Sequence, residues 1–235
     1  MPIRFHEIDN GPITIYREPE DKEKYTIGID TSTGLAKDYS VMQVLTNRMP
    51  FEQVAIYRAK ESVIDVARMA NELGRYYNNA FIVCETNYPG NAVQDALVMT
   101  YRYPNNYQAE QHLDESPNVS SKFGFQTTQA SKWLIIRETL EALKNEEIIF
   151  NDPKTLDEFG TYVYIEDKTK TGAAQGLNDD CVIAFMLALH GCLQRPQKAR
   201  PRERKPSEAN AQHRRMMQKF IESIRNKTET KIIPV

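Results

Sequence analysis

The fold of this chain can be approached from residues 25–34, which read YTIGIDTSTG. The first part alternates in β-branched isoleucines, which is typical of a buried strand, and this strand ends at Asp30. The small and hydroxylated residues that follow, up to Gly34, predict a turn into a second strand. A carboxylate at the end of a buried strand is costly unless a cation meets it, so Asp30 predicts a nearby metal ion or basic side chain.

Two later stretches supply acids in the same kind of place. Residues 82–85, IVCE, form another apolar run that ends in a carboxylate, Glu85, and the triplet Asn178, Asp179, Asp180 directly precedes a long apolar stretch. We predict that these places and Asp30 converge on divalent metal ions. Magnesium and manganese prefer hard oxygen ligands, and two such ions about 3.5–4 Å apart can activate water and stabilise the leaving oxygen of a phosphodiester.

Each acid alone also has a simpler interpretation. An aspartate after a strand is commonly a turn former, and residues 178–180 could cap a helix with their acids facing its dipole. Asp38, at the base of the first hairpin, could approach the metal ions, although a turn residue is the simpler expectation. The metal prediction therefore depends on all the acids occurring together in one order of strands and helices.

Length and composition indicate one generous domain, or a domain with a tail, of a soluble globular protein. The chain has 235 residues, of which 26% are charged and 40% hydrophobic. No apolar run approaches the ~20 residues that a membrane-spanning helix needs, and no signal peptide is evident, so secretion is not expected. The three cysteines, Cys84, Cys181 and Cys192, lack zinc-like spacing and are expected to be reduced core thiols.

The formal net charge of −2 hides a strong asymmetry. Residues 195–235 contain 12 Lys and Arg against 4 Asp and Glu, a net of +8, whereas residues 1–194 contain 18 and 28, a net of −10. A basic tail on an acidic body is typical of polyanion binding, and a solvated tail is an equally good interpretation.

The order of predicted elements suggests an α/β fold. Residues 1–24 are expected to be a linker or an edge segment, with a short strand near Ile13. Three strands at 25–30, 38–46 and 53–58 predict an antiparallel meander, and a strand at 80–85 follows a helix as a right-handed parallel crossover. We expect further elements as follows: helices at 62–77, 91–101, 130–144 (inward face Trp133, Ile136, Leu140 and Leu143), 153 onward and 179–193; strands at 107–112, 147–150 and 161–166; and a surface loop at 114–126.

Together these features resemble the ribonuclease H-like nuclease domain of phage large terminase subunits, the motors that package DNA. The likeness covers residues 25–193. Residues 28–40 resemble the first motif and its second strand, residues 83–87 (VCETN) the second motif, and residues 178–184 (NDDCVIA) the third, where a histidine often stands in place of Asn178.

The resemblance implies a ribonuclease H-like mixed sheet, an antiparallel meander plus parallel strands, flanked by helices on both faces. It implies a nuclease domain at 25–194 and a basic tail at 195–235, and an endonuclease that cuts concatemeric double-stranded DNA with two Mg²⁺ or Mn²⁺ ions. Asp30 would bridge the two metal ions, Glu85 would bind one, and Asp180 would be a direct ligand, with Asp179 as an alternate.

The resemblance also implies partners. These are double-stranded DNA, a portal protein, a small terminase subunit and an ATPase domain in the full-length protein, all in the cytoplasm of an infected bacterial host. No Gly-x-x-x-x-Gly-Lys-Ser/Thr loop occurs here, so we expect an isolated nuclease domain.

Lysines are the candidates for DNA contact. Lys168 and Lys170 lie in a glycine-bounded, threonine-rich stretch that could hold a phosphate backbone or be a solvated hairpin tip. Lys122 and Lys132 are weaker candidates.

Other functions fit parts of the same sequence. A Holliday-junction resolvase or transposase shares the fold and the acid pattern. The GIDTSTG stretch (28–34) also resembles the first phosphate loop of actin and sugar-kinase ATPases, although no second Asp-x-Gly loop follows. A third alternative is a scaffold without catalytic activity that only docks a partner.

Overall fold

The structure is a computed structural model that describes residue 5 and residues 11–33, 39–112, 119–165, 170–173 and 177–198. Ten strands occur in this part of the chain: β1 (Ile13–Ile15), β2 (Tyr25–Asp30), β3 (Ser40–Thr46), β4 (Phe51–Ala59), β5 (Phe81–Cys84), β6 (Gln108–His112), β7 (Val119–Phe123), β8 (Ile148–Ile149), β9 (Tyr162–Ile165) and β10 (Lys170–Ala173). The α-helices are α1 (Val63–Tyr76), α2 (Gly90–Asp95), α3 (Gln129–Lys144), α4 (Pro153–Thr161) and α5 (Asp180–Gln194), and α2 continues into a π-helical turn (Ala96–Thr100).

The main sheet has the strand order β1-β4-β3-β2-β5, with β8 also paired to β4. Strands β2, β3 and β4 form the predicted antiparallel meander. Strand β5 then pairs with β2 in parallel after the crossover through α1. The predicted mixed sheet, with helices on both faces, is confirmed.

Helices cover both faces because the sheet side chains alternate in direction. Ile27 and Ile29 pack in a buried cluster with α1 residues such as Leu73. Val83 instead packs in a cluster with residues of α3, α4 and α5, among them Phe185. The sheet is therefore the middle layer of three.

Helix α5 is buried from Asp180 to Cys192, so it is the central helix of its layer. It lies directly on the backbone of β2 at Gly28, where a Cβ would come within 2.0 Å of the Ala184 carbonyl oxygen. Only a residue without a side chain allows this approach, and it places the start of α5 beside the end of β2.

Side-chain caps fix where two of the helices begin. The Ser62 side chain accepts a hydrogen bond from the Asp65 amide at the start of α1, as its position predicts. Thr128 and Ser131 form a reciprocal capping box at the start of α3.

Two sequence-based expectations, one about residues 114–126 and one about helix α3, were wrong. The stretch 114–126 is not only a loop, because β7 pairs antiparallel with β6. Trp133 does not face the core and is 36% exposed. Four consecutive apolar residues, 133–136, leave the inward face of α3 ambiguous, and the buried residues are Ile135, Ile136, Thr139, Ala142 and Leu143.

The three cysteines are free and buried, as expected for core thiols. Within the described ranges, no helix has the length and apolar character required to cross a membrane.

At the two ends of the chain, described segments pack on the sheet. Within residues 1–24, β1 is an edge strand antiparallel to β4. Within residues 195–235, Gln197 accepts a hydrogen bond from the Lys24 amide through its side chain, at 3.0 Å.

Candidate metal centre

Asp30 and Glu85 meet at one edge of the main sheet. Ile29 of β2 pairs with Cys84 of β5 in a parallel ladder, so the next residue of each strand emerges side by side. The Glu85 amide donates to the Ile29 carbonyl oxygen at 3.0 Å. The two carboxyl groups lie close enough for the charge of Glu85 to influence the ionisation of Asp30.

This pairing changes the acidity of Asp30. Enclosure by the surrounding protein and the charge of Glu85 raise the pKa of Asp30 well above its ordinary value, and Asp180 and Asp179 raise it further. The other three predicted acids therefore all act electrostatically on Asp30, although the four come from three distant parts of the sequence.

Asp180 is the buried acid at the first turn of α5, with 8% of its surface exposed. Its Oδ2 accepts hydrogen bonds from the Tyr39 amide at 2.9 Å and from Asn178 Nδ2 at 3.1 Å. Asn178 thus orients the neighbouring acid. Asp179 occupies the N-cap position, but its side chain accepts no capping hydrogen bond, so the simpler interpretation as a helix cap does not describe it.

Glu158 of α4 supports this arrangement and was not predicted. Its Oε2 accepts a hydrogen bond from the Cys181 amide at 2.8 Å, in the first turn of α5. Gln43 of β3 donates to the carbonyl oxygen of the same Cys181 at 3.3 Å. The first turn of α5 is therefore held from the neighbouring helix and from the sheet, which fixes the position of Asp180.

A buried polar network anchors α4 to the sheet behind this clamp. Gln43 donates to Thr155 at 2.8 Å, and Gln53 donates to Gln43 at 2.7 Å. Asp152 accepts from both the amide and the hydroxyl of Thr155, at 2.6 and 2.7 Å. Because these buried groups satisfy one another, the network gives α4 a defined position.

Glu158 carries a further sign of a polar site. It is 5% exposed, and its Oε1 is buried without a hydrogen-bond partner among the described residues. Burial raises the pKa of Glu158, and the hydrogen bonds from Cys181 partly offset this rise. Its spacing from Thr155, on the buried side of a short amphipathic helix, is the one sequence feature that could have indicated it.

The predicted lysines lie in different places. Lys122 is exposed on β7, and that strand leads to Phe125, which pairs with Glu85. Lys132 lies in the first turn of α3 with its Nζ 5.9 Å from the centre of the Tyr162 ring. Lys170 begins β10, which forms a hairpin with β9, whereas Lys168 and Asp38 lie outside the described residues.

The acids at this sheet edge suit a divalent ion that is held by few protein ligands. In the described ranges no three His, Cys, Asp or Glu side chains converge tightly enough to ligate one ion between them. Magnesium, however, usually keeps several waters and binds through one or two carboxylates. The close pair of Asp30 and Glu85, with repulsive acids beside it, supplies hard oxygen donors and an unfavourable negative charge that a cation would relieve. The residues present therefore fit a divalent ion that prefers oxygen ligands.

Known proteins match this chain by structure but not by sequence. No protein-family model matches the sequence, and no curated protein matches it either. Among solved structures, the large terminase nuclease of thermophilic phage G20c with bound magnesium is 18% identical, with a TM-score of 0.62, and the match covers 81% of this chain and 90% of that one. The G20c nuclease was also solved with bound cobalt (TM-score 0.60) and with bound zinc (TM-score 0.56).

The large terminase nuclease domain of Thermus phage P74-26 gives a similar result. It is 18% identical, with a TM-score of 0.57, over 80% of this chain and 89% of that one. The resemblance drawn from the acidic motifs is therefore confirmed for the fold: this chain has the fold of the phage large terminase nuclease domains.

Proposed function

We propose that this protein is a metal-dependent DNA endonuclease of the phage large terminase type, which cuts concatemeric double-stranded DNA. The observation that carries the proposal is the meeting of Asp30 with Glu85 at the sheet edge where α5 presents Asp179 and Asp180. The shared fold adds support, because the neighbouring structures named as terminase nucleases include ones with bound magnesium, cobalt or zinc.

The position of each acid suggests its role in binding metal ions. Because Glu85, Asp179 and Asp180 all act electrostatically on Asp30, we assign Asp30 as the residue that two metal ions would share. Glu85 would bind one ion, and Asp180 would bind the other. Asp179 would adjust the local charge or serve as an alternate ligand.

Two divalent ions in such a site would supply an activated water and stabilise the leaving oxygen of the phosphodiester. Residues of this chain hold the candidate metal ligands in position. The Tyr39 amide and the Asn178 side chain hold Asp180, and Glu158 holds the turn from which it projects. Such supporting contacts keep a site within the narrow geometry that catalysis needs.

The same function implies where the protein would act and with what. The reaction would take place in the cytoplasm of an infected bacterium, with portal protein, small terminase subunit and an ATPase domain as partners. The lysines Lys122, Lys132, Lys168 and Lys170 would contribute to DNA binding that is sensitive to salt and largely independent of sequence.

A plasmid cleavage assay tests the proposal. Supercoiled plasmid is incubated with the full chain and Mn²⁺ or Mg²⁺, beside an EDTA sample, the Asp30→Ala variant, and Lys144→Gln as a control at an exposed site. We expect nicking and linearisation in the wild type and in Lys144→Gln, and neither product with EDTA or with Asp30→Ala. Absence of cleavage by the wild type with both metals would refute the proposal.

The alternatives predict different outcomes of the same work. Selective cleavage of four-way junctions over linear duplex would indicate the resolvase type of function. Binding of ATP without DNA cleavage would instead favour the phosphate-loop interpretation of residues 28–34. Absence of DNA cleavage and of ATP binding, with binding to a partner protein retained, would indicate a scaffold.

A further inference from the structure

A cation lies in the same cross-strand row as Asp30. Asp30 of β2 pairs with Val41 of β3, and Val41 pairs with Arg58 of β4. Residues paired in this way project from the same face of a sheet. Val41 packs against Cys181 and Ala184, so this is the face covered by α5.

The row sets the distance between the cation and the acids. Two strand spacings separate the Asp30 and Arg58 backbones, about 10 Å at some 4.8 Å each. Nucleotides along one strand of duplex DNA rise by about 3.4 Å. Consider a DNA strand that lies across this edge with one phosphate at the acids. A second phosphate of the same strand, a few nucleotides away, would then lie near Arg58.

Tyr39 forms a platform for two cations beside the acids. The Arg58 guanidinium carbon lies 3.4 Å from the centre of the Tyr39 ring, and the Lys60 Nζ lies 4.7 Å from it. The amide of the same Tyr39 donates to Asp180 at 2.9 Å. The ring therefore fixes both cations relative to Asp180, through cation–π contacts on one side and a backbone hydrogen bond on the other.

Both cations have binding capacity that the described residues leave unused. Within the described part of the chain, neither Arg58 nor Lys60 forms an ion pair with a carboxylate at hydrogen-bonding range. The Arg58 Nε is buried and has no hydrogen-bond partner there, and Lys60 is exposed. An arginine that is held by stacking, with its donors unused, is well suited to bind a phosphate.

We propose that Arg58 and Lys60, stacked on Tyr39, bind a backbone phosphate of the DNA that lies within a few nucleotides of the phosphate being cut. This inference rests on the proposed nuclease function and assigns the residues that position its substrate. None of the lysines predicted from the sequence is part of this cluster.

A different role for Arg58 has to be separated from this one. Burial raises the pKa of Glu158, and the charge of Arg58 offsets a small part of this rise, so a purely internal counter-charge for the buried acid is the other role open to Arg58. A purely structural role would alter the stability of the fold. A phosphate contact would instead alter how steeply DNA affinity falls with salt, by about one unit of slope per contact.

The experiment measures binding of a short fluorescein-labelled duplex by fluorescence anisotropy in EDTA, over a range of KCl concentrations. Wild type is compared with Arg58→Gln, Arg58→Lys, Lys60→Gln and the exposed control Lys144→Gln, which lies at the end of α3. Thermal unfolding of each variant is recorded in parallel. Cleavage with Mn²⁺ is then measured to separate kcat from KM.

We expect Arg58→Gln and Lys60→Gln each to lower the magnitude of the slope of log K against log[KCl] by about 0.9 and to weaken binding about tenfold at low salt. KM should rise more than kcat falls, Arg58→Lys should retain the slope, and Lys144→Gln should behave as wild type. Lys60→Gln alone decides the matter if Arg58→Gln does not fold, because Lys60 is exposed.

Wild-type slopes in both glutamine variants, from a wild-type protein that binds and cuts DNA, would overturn this inference and leave the nuclease proposal intact. A wild-type protein that neither binds nor cuts DNA would overturn both.

Discussion

Asp30 ends β2, and Glu85 directly follows the parallel strand β5, so the two carboxyl groups lie together where these neighbouring strands end. Burial of Asp30, and then the nearby charge of Glu85, raise the pKa of Asp30 well above its ordinary value of 3.8. The arrangement is destabilising by itself and has the form of a site that is completed by a cation.

The first prediction concerns stability against pH. Because the folded chain holds the Asp30 proton more tightly than the unfolded chain does, this group contributes stability at low pH that is lost as the pH rises above 3.8 toward the raised folded pKa. In Asp30→Asn the side chain cannot ionise, so the variant does not undergo this loss of stability. In EDTA at neutral pH the variant should therefore be more stable than wild type, by about 0.5–2 kcal/mol, and the difference should vanish in acid. Urea unfolding at several pH values measures it.

Added Mg²⁺ provides the control for this effect. A bound ion should raise the melting temperature of wild type and leave that of Asp30→Asn nearly unchanged. Equal stability of the two proteins at neutral pH would show that burial and the neighbouring acids do not raise the pKa of Asp30 in the folded chain.

The second prediction separates the two adjacent acids of α5. Asp180 is buried and fixed by two hydrogen bonds, whereas Asp179 makes no capping contact. Asp180→Asn should reduce the Mn²⁺-dependent cleavage rate by at least about 100-fold, as expected for a lost metal ligand, and Asp179→Asn by about tenfold. The reverse ranking in single-turnover cleavage would make Asp179 the direct ligand.

The third prediction concerns the clamp on α5. Glu158→Ala removes the acceptor for the Cys181 amide and should cost about 1–3 kcal/mol of unfolding free energy, together with much of the activity. Glu158→Gln keeps a carbonyl oxygen at this position and should retain most of both. Chemical denaturation and cleavage assays on the two variants compare them, and equal losses would show that the charge of Glu158 matters more than its hydrogen bond.

The fourth prediction tests the close contact between β2 and α5. Gly28→Ala would place a methyl group about 2.0 Å from the Ala184 carbonyl oxygen, so helix and strand must move apart. We expect a loss of about 1–3 kcal/mol or more, and weaker cleavage because the acids separate. Lys144→Ala, at an exposed site, serves as the control for denaturation. A fully stable and active Gly28→Ala would contradict this account of the packing.

The acids could be found from sequence because each occupies a place that local pattern defines. Asp30 and Glu85 follow apolar runs, and Asp180 precedes one, so strand and helix ends already locate them. The meander and the crossover place those ends together by general rules of topology. This is why the mixed sheet and the positions of the acids followed from the sequence.

Other parts of the site depend on contacts between distant elements. Glu158 meets Cys181 only because α4 packs beside α5, and Arg58 stacks on Tyr39 only because of the register between β3 and β4. No local pattern specifies either contact. Trp133 was misplaced for a related reason, since an unbroken apolar run satisfies more than one inward face.

The most direct test of the central claim is the rate of Mn²⁺-dependent DNA cleavage by Asp30→Asn, Glu85→Gln and the double variant. Groups that act as one unit lose their effect together, so each single change should reduce the rate at least about 100-fold and the double change should reduce it no further. A single variant that keeps the wild-type rate, or a double variant whose losses multiply, would contradict a shared metal centre at Asp30 and Glu85.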